Sequence, residues 1–245
     1  MKIRLFIAQK FSKDLLISPS KEQLHYLKNV LRLKNGAELY LFNNQQGEFL
    51  ANYQNGQLHL VKQTQDFYQV PNIALAFAPV KNVKSEYLVT KATELGVREI
   101  FPINTERTIV NRINLEKLEK NSIEAAEQSR RVDLPQINQL EKLPKFIAAL
   151  QDELLIFADE SGEGESPQQL AQQVTDFNQD SKIVVLIGPE GGFSEEEAKL
   201  IRAYQHTKSL NLGPRILRAD TAIISSLAII QSIYGDTHIA SKSAY

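Results

Sequence analysis

Apolar and polar positions alternate over short distances at the start of the chain. Segments that alternate or run apolar occupy residues 3–8, 37–43, 48–53 and 57–63, and turn signals stand at Asn35-Gly36, Gln46-Gly47 and Asn55-Gly56. Between the first two segments, Ser20 opens a pattern in which Leu24, Leu27, Val30 and Leu31 have helical spacing. Short strands with tight turns favour a small β-barrel, which we predict for residues 1–70. Val70-Pro71 marks the predicted domain boundary.

The pattern changes in the remainder of the chain, residues 71–245. Buried strands are predicted at residues 73–78, 97–103, 154–158, 183–187 and 210–212, and helices at 84–95, 114–130, 167–177 and 222–233. Gly96 is well placed to end the first of these helices in a left-handed conformation. Strands that alternate with helices indicate an α/β domain with a largely parallel sheet covered on both faces.

Two turns containing glycine and proline lie close together in the second domain. The first is Gly188-Pro189-Glu190-Gly191-Gly192-Phe193, and the second is residues 212–222, with the sequence LGPRILRADTA. Each follows a predicted strand and leads into a helix, and Ser194 with Glu197 forms a capping box after the first turn. Glycine and proline turn the chain sharply and leave backbone groups open to a ligand. We therefore predict one pocket, beyond the carboxyl ends of the strands, that both turns share.

The chemistry of this predicted pocket disfavours a phosphorylated ligand. The first turn lacks the G-x-G-x-x-G spacing of dinucleotide sites, and no Gly-Lys-Ser/Thr sequence supplies a phosphate-binding lysine. Glu190 would also repel a pyrophosphate. An uncharged or cationic nucleoside fits better, and S-adenosylmethionine, with a sulfonium and no phosphate, meets that description. For either turn alone, an ordinary strand-to-helix connection is the alternative.

The second turn adds charge and an apolar pair. Arg215 and Arg218 flank Ile216-Leu217, which could hold an adenine by packing and main-chain hydrogen bonds. An arginine can fix a phosphate or stabilise a developing anion. Asp220 is expected to be the N-cap of the last helix.

Composition narrows the function classes. Cysteine is absent, which excludes disulfides and thiolate metal sites, and the four histidines lie too far apart to predict a metal site. The N-terminus is too charged for a signal peptide, and the longest apolar run, residues 222–230, is too short for a membrane span, so we expect a cytoplasmic protein. The net charge is −1, yet residues 1–35 carry eight lysines and arginines against two acidic residues, a net +6. The positive charge of residues 1–35 suits contact with phosphate groups, although a solvated basic surface explains this charge equally well.

The two turns closely resemble the signature segments of the RsmE-type methyltransferases of the SPOUT superfamily. Further similar segments are His25 with Val30-Leu31-Arg32, residues 91–97 (KATELGV) and residues 124–131 (EAAEQSRR), so the resemblance runs from about residue 3 to 231. One departure is Ala219-Asp220, where the family usually has Thr-Glu. The shorter carboxylate preserves a capping role more easily than a catalytic one.

The resemblance implies methylation of N3 of a uridine in 16S ribosomal RNA, on the small subunit. It also implies a deep trefoil knot in the α/β domain, S-adenosylmethionine bound in the knot, a homodimer, and a PUA-like RNA-binding β-barrel over residues 1–70. The implied cofactor-binding residues are Leu186, Gly188, Pro189, Gly191, Leu212, Gly213, Ile216, Leu217, Arg218, Thr221 and Ala222.

Catalytic roles are predicted for two residues. Uridine N3 carries a proton at neutral pH, so the enzyme must position N3 and stabilise the anion that forms when the proton leaves. Arg218 is predicted to stabilise this anion or to orient the flipped base. Glu190 could act as the general base or could serve only to shape its turn.

The predicted RNA contacts are cations of both domains. They are Arg4, Lys10, Arg32 and Lys34 in the barrel, followed by Lys91, Arg107, Arg112, Arg130 and Arg131. Alternatives are methylation at another RNA position and a ribosome assembly protein without turnover. A nucleotide-dependent oxidoreductase is disfavoured because the dinucleotide fingerprint is missing.

Overall fold

The computed structural model describes residues 2–12, 16–159, 164–173 and 181–237, which form two compact units. The first unit comprises Met1–Gln69 together with Ile123–Leu134, and the second comprises Val70–Ser122 together with Pro135–Tyr245. The boundary predicted from the sequence, at residues 70 and 71, did not anticipate that Ile123–Leu134 belongs with the N-terminal unit.

The first unit contains a five-stranded sheet with the order β1-β3-β4-β5-β2. Its elements are β1 (Arg4–Phe6), β2 (Leu16–Ile17), α1 (Lys21–His25), β3 (Glu38–Asn43), β4 (Gly47–Gln54) and β5 (Gln57–Gln65). The β1–β3 pair is parallel, and the other pairs are antiparallel. Gly47 has a φ of +80°, and any side chain there would collide with the carbonyl oxygen of Gln65, so the β3–β4 turn requires glycine. Leu27, Leu39, Leu41 and Leu58 are buried in the core of this unit.

The helix of the first unit has a regular start and an irregular end. Ser20 caps α1, and Gln23 completes the capping box. A π-helical turn, Tyr26–Val30, follows directly. Its extra residue per turn changes the predicted helical register, and Val30 is 59% exposed while Leu27 is buried.

The second unit is an α/β domain, as predicted. Its elements are β6 (Ile73–Phe77), α2 (Ser85–Glu94), β7 (Glu99–Asn104), α3 (Leu115–Ser129), β8 (Gln136–Ile137), β9 (Glu141–Lys142), α4 (Leu143–Ala149), β10 (Leu154–Ala158), α5 (Pro167–Gln173), β11 (Ile183–Ile187), α6 (Glu195–Ala203), β12 (Thr207–Leu210) and α7 (Ala219–Tyr234). The strands form the order β12-β10-β11-β6-β7-β8, with β9 paired to β7. Each of these pairs is parallel. The C-terminal part of α3 belongs to the first unit.

The central strand β11 shows how this sheet is covered on both faces. All five of its residues are buried. Ile183, Val185 and Ile187 pack in the cluster that contains residues of α2 and α7. Val184 and Leu186 point to the opposite face and pack with residues of α4 and α6. A strand buried on both faces is continuously apolar, which is why its bounds match the prediction.

Several predicted elements differ from the structure. β8, β9 and α4 were not predicted. β12 ends at Leu210, where the prediction began, because Thr207 to Leu210 pair with β10. The predicted helix at 167–177 is present over Pro167–Gln173, and residues 174–177 lie outside the described part of the chain. Asp220 as an N-cap is wrong: α7 begins at Ala219, Arg218 occupies the cap position without a side-chain bond, and Asp220 lies inside the first turn.

The described part of the chain contains neither a helix that could span a membrane nor a cluster of metal ligands. None of the helices is long and apolar enough to cross a membrane. No group of three or more histidine, aspartate or glutamate side chains in this part of the chain could hold a metal ion.

Candidate functional site

A cavity of about 900 Å³ lies beyond the carboxyl ends of two neighbouring parallel strands, β10 and β11. The strand ends contribute Phe157, Ala158 and Ile187 to its wall. Residues of both glycine-proline turns form much of the remainder. The two turns therefore share one pocket, at the edge of the sheet where open α/β folds bind ligands.

Most of the residues predicted for the cofactor and for catalysis lie in this wall. They are Gly188, Pro189, Glu190, Leu212, Gly213, Ile216, Leu217, Arg218 and Ala222. Three predicted residues do not line it. Leu186 is fully buried in β11, Gly191 turns its carbonyl oxygen to Arg107, and Thr221 is exposed on the first turn of α7.

The first turn is shaped by close packing around a glycine. A Cβ atom at Gly188 would lie 3.0 Å from the ring of Phe193, which is tighter than ordinary contact. That ring in turn meets Phe157 edge to face, with centroids 6.4 Å apart. Gly192 has a φ of +67°, and its N–H donates to the carbonyl of Pro189 (2.9 Å). The turn is therefore a fixed shape that a larger residue at 188 would change.

The loop after β7 is fastened at two points, one on the first turn and one on α6. Nη1 of Arg107 donates to the carbonyl oxygen of Gly191 at 2.5 Å. The buried Glu197 carboxylate accepts from the backbone N–H of Glu106 at 2.7 Å and from that of Ser194 at 3.0 Å. The predicted capping box of α6 is confirmed, and its glutamate also holds a second loop. The sequence could not indicate this second role, because Glu106 lies 91 positions away.

The second turn carries unpaired cations. Gly213 has a φ of +99°, and its N–H donates to Oδ1 of Asn211 at 2.7 Å. Ile216 is 93% exposed. Arg215 and Arg218 are exposed, and neither guanidinium forms a hydrogen bond or ion pair within the described residues. Both therefore have donors available to a ligand or a reacting group.

The wall combines both signs of charge. Arg202 pairs with the nearly buried Asp159 at 2.8 Å and lies over the ring of Phe157, 5.5 Å from its centroid. Glu190 accepts a hydrogen bond from Nδ2 of Asn82 at 3.2 Å. Asp159 and Arg202 were missed by sequence reasoning, although the place of Asp159 directly after an apolar strand was a usable signal. A ligand with both positive and negative groups would find partners here.

The structure corrects the predicted RNA contacts at two positions. Arg4 is buried, pairs with Glu48 at 2.6 Å and donates to the carbonyls of Ala126 and Arg131. Arg131 is also buried, and it pairs with Asp133 at 2.7 Å. Arg4 is engaged by the C-terminal end of α3 and Arg131 by Asp133, so neither guanidinium is available to phosphate.

The other predicted RNA contacts remain accessible. Lys10, Arg32, Lys34 and Arg130 are exposed in the first unit, and Arg112 is exposed in the second. Lys91 is half-buried and pairs with Glu94 at 2.7 Å. Arg107 belongs to the wall of the cavity, where its guanidinium is engaged by Gly191.

Comparison with known proteins gives consistent matches along the chain. The model of an RNA methyltransferase domain matches residues 68–231, and the model of an RNA methyltransferase PUA domain matches residues 19–62. Ribosomal RNA small subunit methyltransferase E of Rickettsia conorii is 33% identical over 93% of this chain and 94% of its own. The protein of the same name from Synechocystis is 30% identical over 95% of this chain and 78% of its own.

Solved structures have the same fold. A protein from Legionella pneumophila, described as a methyltransferase in complex with the cofactor SAM, is 30% identical and superposes with a TM-score of 0.82. The match covers 96% of this chain and 99% of that one. A ribosomal RNA small subunit methyltransferase E from Neisseria gonorrhoeae, at 22% identity, has a TM-score of 0.84 over 97% of this chain and all of its own.

Proposed function

Because this chain belongs to the ribosomal RNA small subunit methyltransferase E family, we propose that it methylates N3 of a uridine in 16S rRNA with S-adenosylmethionine as methyl donor. The observation that carries the proposal is the shared cavity, in which two glycine-proline turns and the unpaired Arg218 surround one space. The N-terminal PUA-like unit supplies RNA affinity.

The cavity fits the cofactor by its size and its chemistry. S-adenosylmethionine supplies an electrophilic methyl group on a sulfonium. A space of about 900 Å³ is within the range of small-molecule sites, and the wall offers Ile216 and Leu217 to an adenine. Glu190 suits the positive groups of the ligand, while Arg215 and Arg218 suit its carboxylate. The SAM complex of the Legionella relative supports this assignment.

Arg218 is proposed to act on the uridine. Loss of the N3 proton to solvent leaves a negative charge shared with the neighbouring carbonyl oxygens. N3 then takes the methyl group as the methyl–sulfur bond breaks, and S-adenosylhomocysteine is released. A free guanidinium in the cavity wall can donate hydrogen bonds to that anion and position the base. Glu190 is held by the amide of Asn82, which favours a role in shaping the turn over a role as general base.

The proposal also covers the chain topology, the oligomeric state and the cellular location. The turns at residues 188–193 and 212–218 belong to a deep trefoil knot, and two copies form a homodimer in the cytoplasm, where small ribosomal subunits are the substrate. Membership of the family supports the knot. Sedimentation velocity tests the dimer.

A transfer assay tests the reaction. Labelled S-adenosylmethionine is offered with isolated 30S subunits and with naked 16S rRNA in separate reactions, and the RNA is then digested to nucleosides. The proposal expects 3-methyluridine from one of the two substrates. Label in another nucleoside would assign a different RNA position, and cofactor binding without any transfer would contradict the proposed activity.

A further inference from the structure

The π-helical turn Tyr26–Val30 carries exposed apolar side chains that the core does not explain. The N–H of Leu31 donates to the carbonyl of Tyr26 at 2.9 Å, which is the wide spacing of a π-helix. Tyr26 is 41% exposed and Val30 59% exposed, whereas Leu27 between them is fully buried. Residues four apart lie on nearly the same side of a helix, in an α-turn as in a π-turn. Tyr26 and Val30 are therefore presented together to solvent.

Arg32, two residues further on, has a backbone conformation that its own side chain disfavours. Its φ is +54°, in the left-handed region that glycine or asparagine adopts at the end of a helix. The N–H of Leu33 donates to the carbonyl of Leu27 at 2.9 Å and closes this helix end. The Arg32 side chain is exposed and has no hydrogen bond or ion pair within the described residues. Packing within the protein therefore does not explain why an arginine occupies this position. Binding of a ligand by its guanidinium would explain it.

The surrounding charge favours a polyanion. Residues 20–34 include Lys21, Lys28, Arg32 and Lys34 against Glu22, a net charge of +3. Each of these four cations is exposed. We call Tyr26, Val30 and Arg32 the π-turn patch.

We propose that the π-turn patch binds an unpaired stretch of RNA, with a base on Tyr26 and Val30 and its phosphate on Arg32. The inference rests on the proposed function, in which RNA is the substrate. An aromatic ring beside an apolar side chain offers a surface for the face of a base, and that face is accessible only in unstacked RNA. In a duplex the base faces are covered, so a duplex could use the cation but not Tyr26 or Val30.

Binding to two RNA probes tests this assignment in the full-length protein. Fluorescent oligouridylate and a blunt RNA duplex are titrated against Tyr26→Ala, Val30→Ser and Arg32→Gly. Val61→Ser and Lys62→Ala are matched controls, because Val61 is 52% exposed and Lys62 is exposed on β5 of the same unit. Arg32→Gly keeps the left-handed backbone and removes only the cation, so its thermal midpoint should not fall.

The expected result separates the two probes. Tyr26→Ala and Val30→Ser should each weaken oligouridylate binding about tenfold and leave duplex binding unchanged. Arg32→Gly should weaken both and reduce the salt dependence of binding by about one counterion. The controls should match the wild type.

Three outcomes would overturn the assignment. In the first, the patch variants bind oligouridylate as tightly as Val61→Ser and Lys62→Ala. In the second, Tyr26→Ala and Val30→Ser weaken duplex binding as much as oligouridylate binding, so the patch does not read base faces. In the third, naked RNA binding is intact while methylation of 30S subunits falls, which would assign the patch to a ribosomal protein. Failure of the proposed function can be told apart from failure of this assignment, because in that case the wild-type protein itself would transfer no methyl group.

Discussion

Nη1 of Arg4 donates a 2.7 Å hydrogen bond to the carbonyl oxygen of Ala126, a residue 122 positions later in the chain. The same guanidinium reaches the carbonyl of Arg131 at 3.0 Å and pairs with Glu48. The last carbonyls of an α-helix have no partner within the helix, so the arginine of β1 completes the hydrogen bonding of α3. Burial lowers the pKa of Arg4, and the Glu48 carboxylate opposes that effect.

Arg4→Met should therefore destabilise the protein. The change leaves Glu48 without its ion-pair partner and removes the donor to the carbonyls of Ala126 and Glu127 in the last turn of α3, at a cost of about 3–5 kcal/mol in the free energy of unfolding. Urea denaturation measures it. Lys10→Met, at an exposed position of the same unit, is the control and should change stability little. Equal denaturation midpoints for the two variants would show that the buried network contributes nothing.

Glu127 should make stability depend on pH. Burial raises the pKa of its carboxyl, while the backbone N–H of Phe6, which donates at 3.0 Å, opposes the shift. As pH rises above 4.5, the unfolded chain loses this proton at a lower pH than the folded chain does. The stability that the protonated Glu127 carboxyl contributes is therefore lost progressively until the pH passes the pKa of the folded state.

Glu127→Gln tests this dependence. The amide oxygen can still accept from Phe6, and no charge is buried, so the variant should be more stable than the wild type at neutral pH. The advantage should shrink as pH falls towards 4.5. The test is to measure the free energy of unfolding of the wild type and of Glu127→Gln from pH 4.5 to neutral pH. Glu119→Gln, at an exposed position on the same helix, is the control. A Glu127→Gln advantage that is constant with pH would contradict the assigned cause.

Arg107→Ala should weaken cofactor binding more than RNA binding. The substitution removes the hydrogen bond between the loop after β7 and the first turn. Loss of a charged hydrogen bond corresponds to a change of about tenfold or more in affinity. Calorimetric titration with S-adenosylmethionine measures it. Arg112→Ala is the matched control from the same loop, because Arg112 is exposed and unpaired within the described residues. An equal loss in both variants would argue against the Gly191 contact as the cause.

Features that depend on neighbouring residues could be predicted from the sequence, whereas features that depend on contacts between distant residues were missed. β11 has the predicted bounds because every residue in it is apolar and Gly188 ends it. The capping box of Ser194 and Glu197 spans three residues and was therefore readable. By contrast, the partner of Arg107 lies 84 positions away, so the arginine looked like a surface cation. The π-turn was missed because one extra residue does not alter the hydrophobic pattern enough to reveal the changed register.

Arg218→Ala should lower the rate of methyl transfer while leaving the affinity for S-adenosylmethionine nearly unchanged. If the guanidinium stabilises the uridine anion, its loss acts on the transition state, and removal of one such donor typically lowers kcat by about 10²- to 10³-fold. Arg215→Ala is the matched control, since Arg215 is equally exposed and unpaired in the same turn. If the two arginines only attract RNA through their charge, Arg218→Ala and Arg215→Ala should behave alike, and KM for the RNA should rise in both. A fall in kcat confined to Arg218→Ala, with partial recovery in Arg218→Lys, would place the cation at the reacting base.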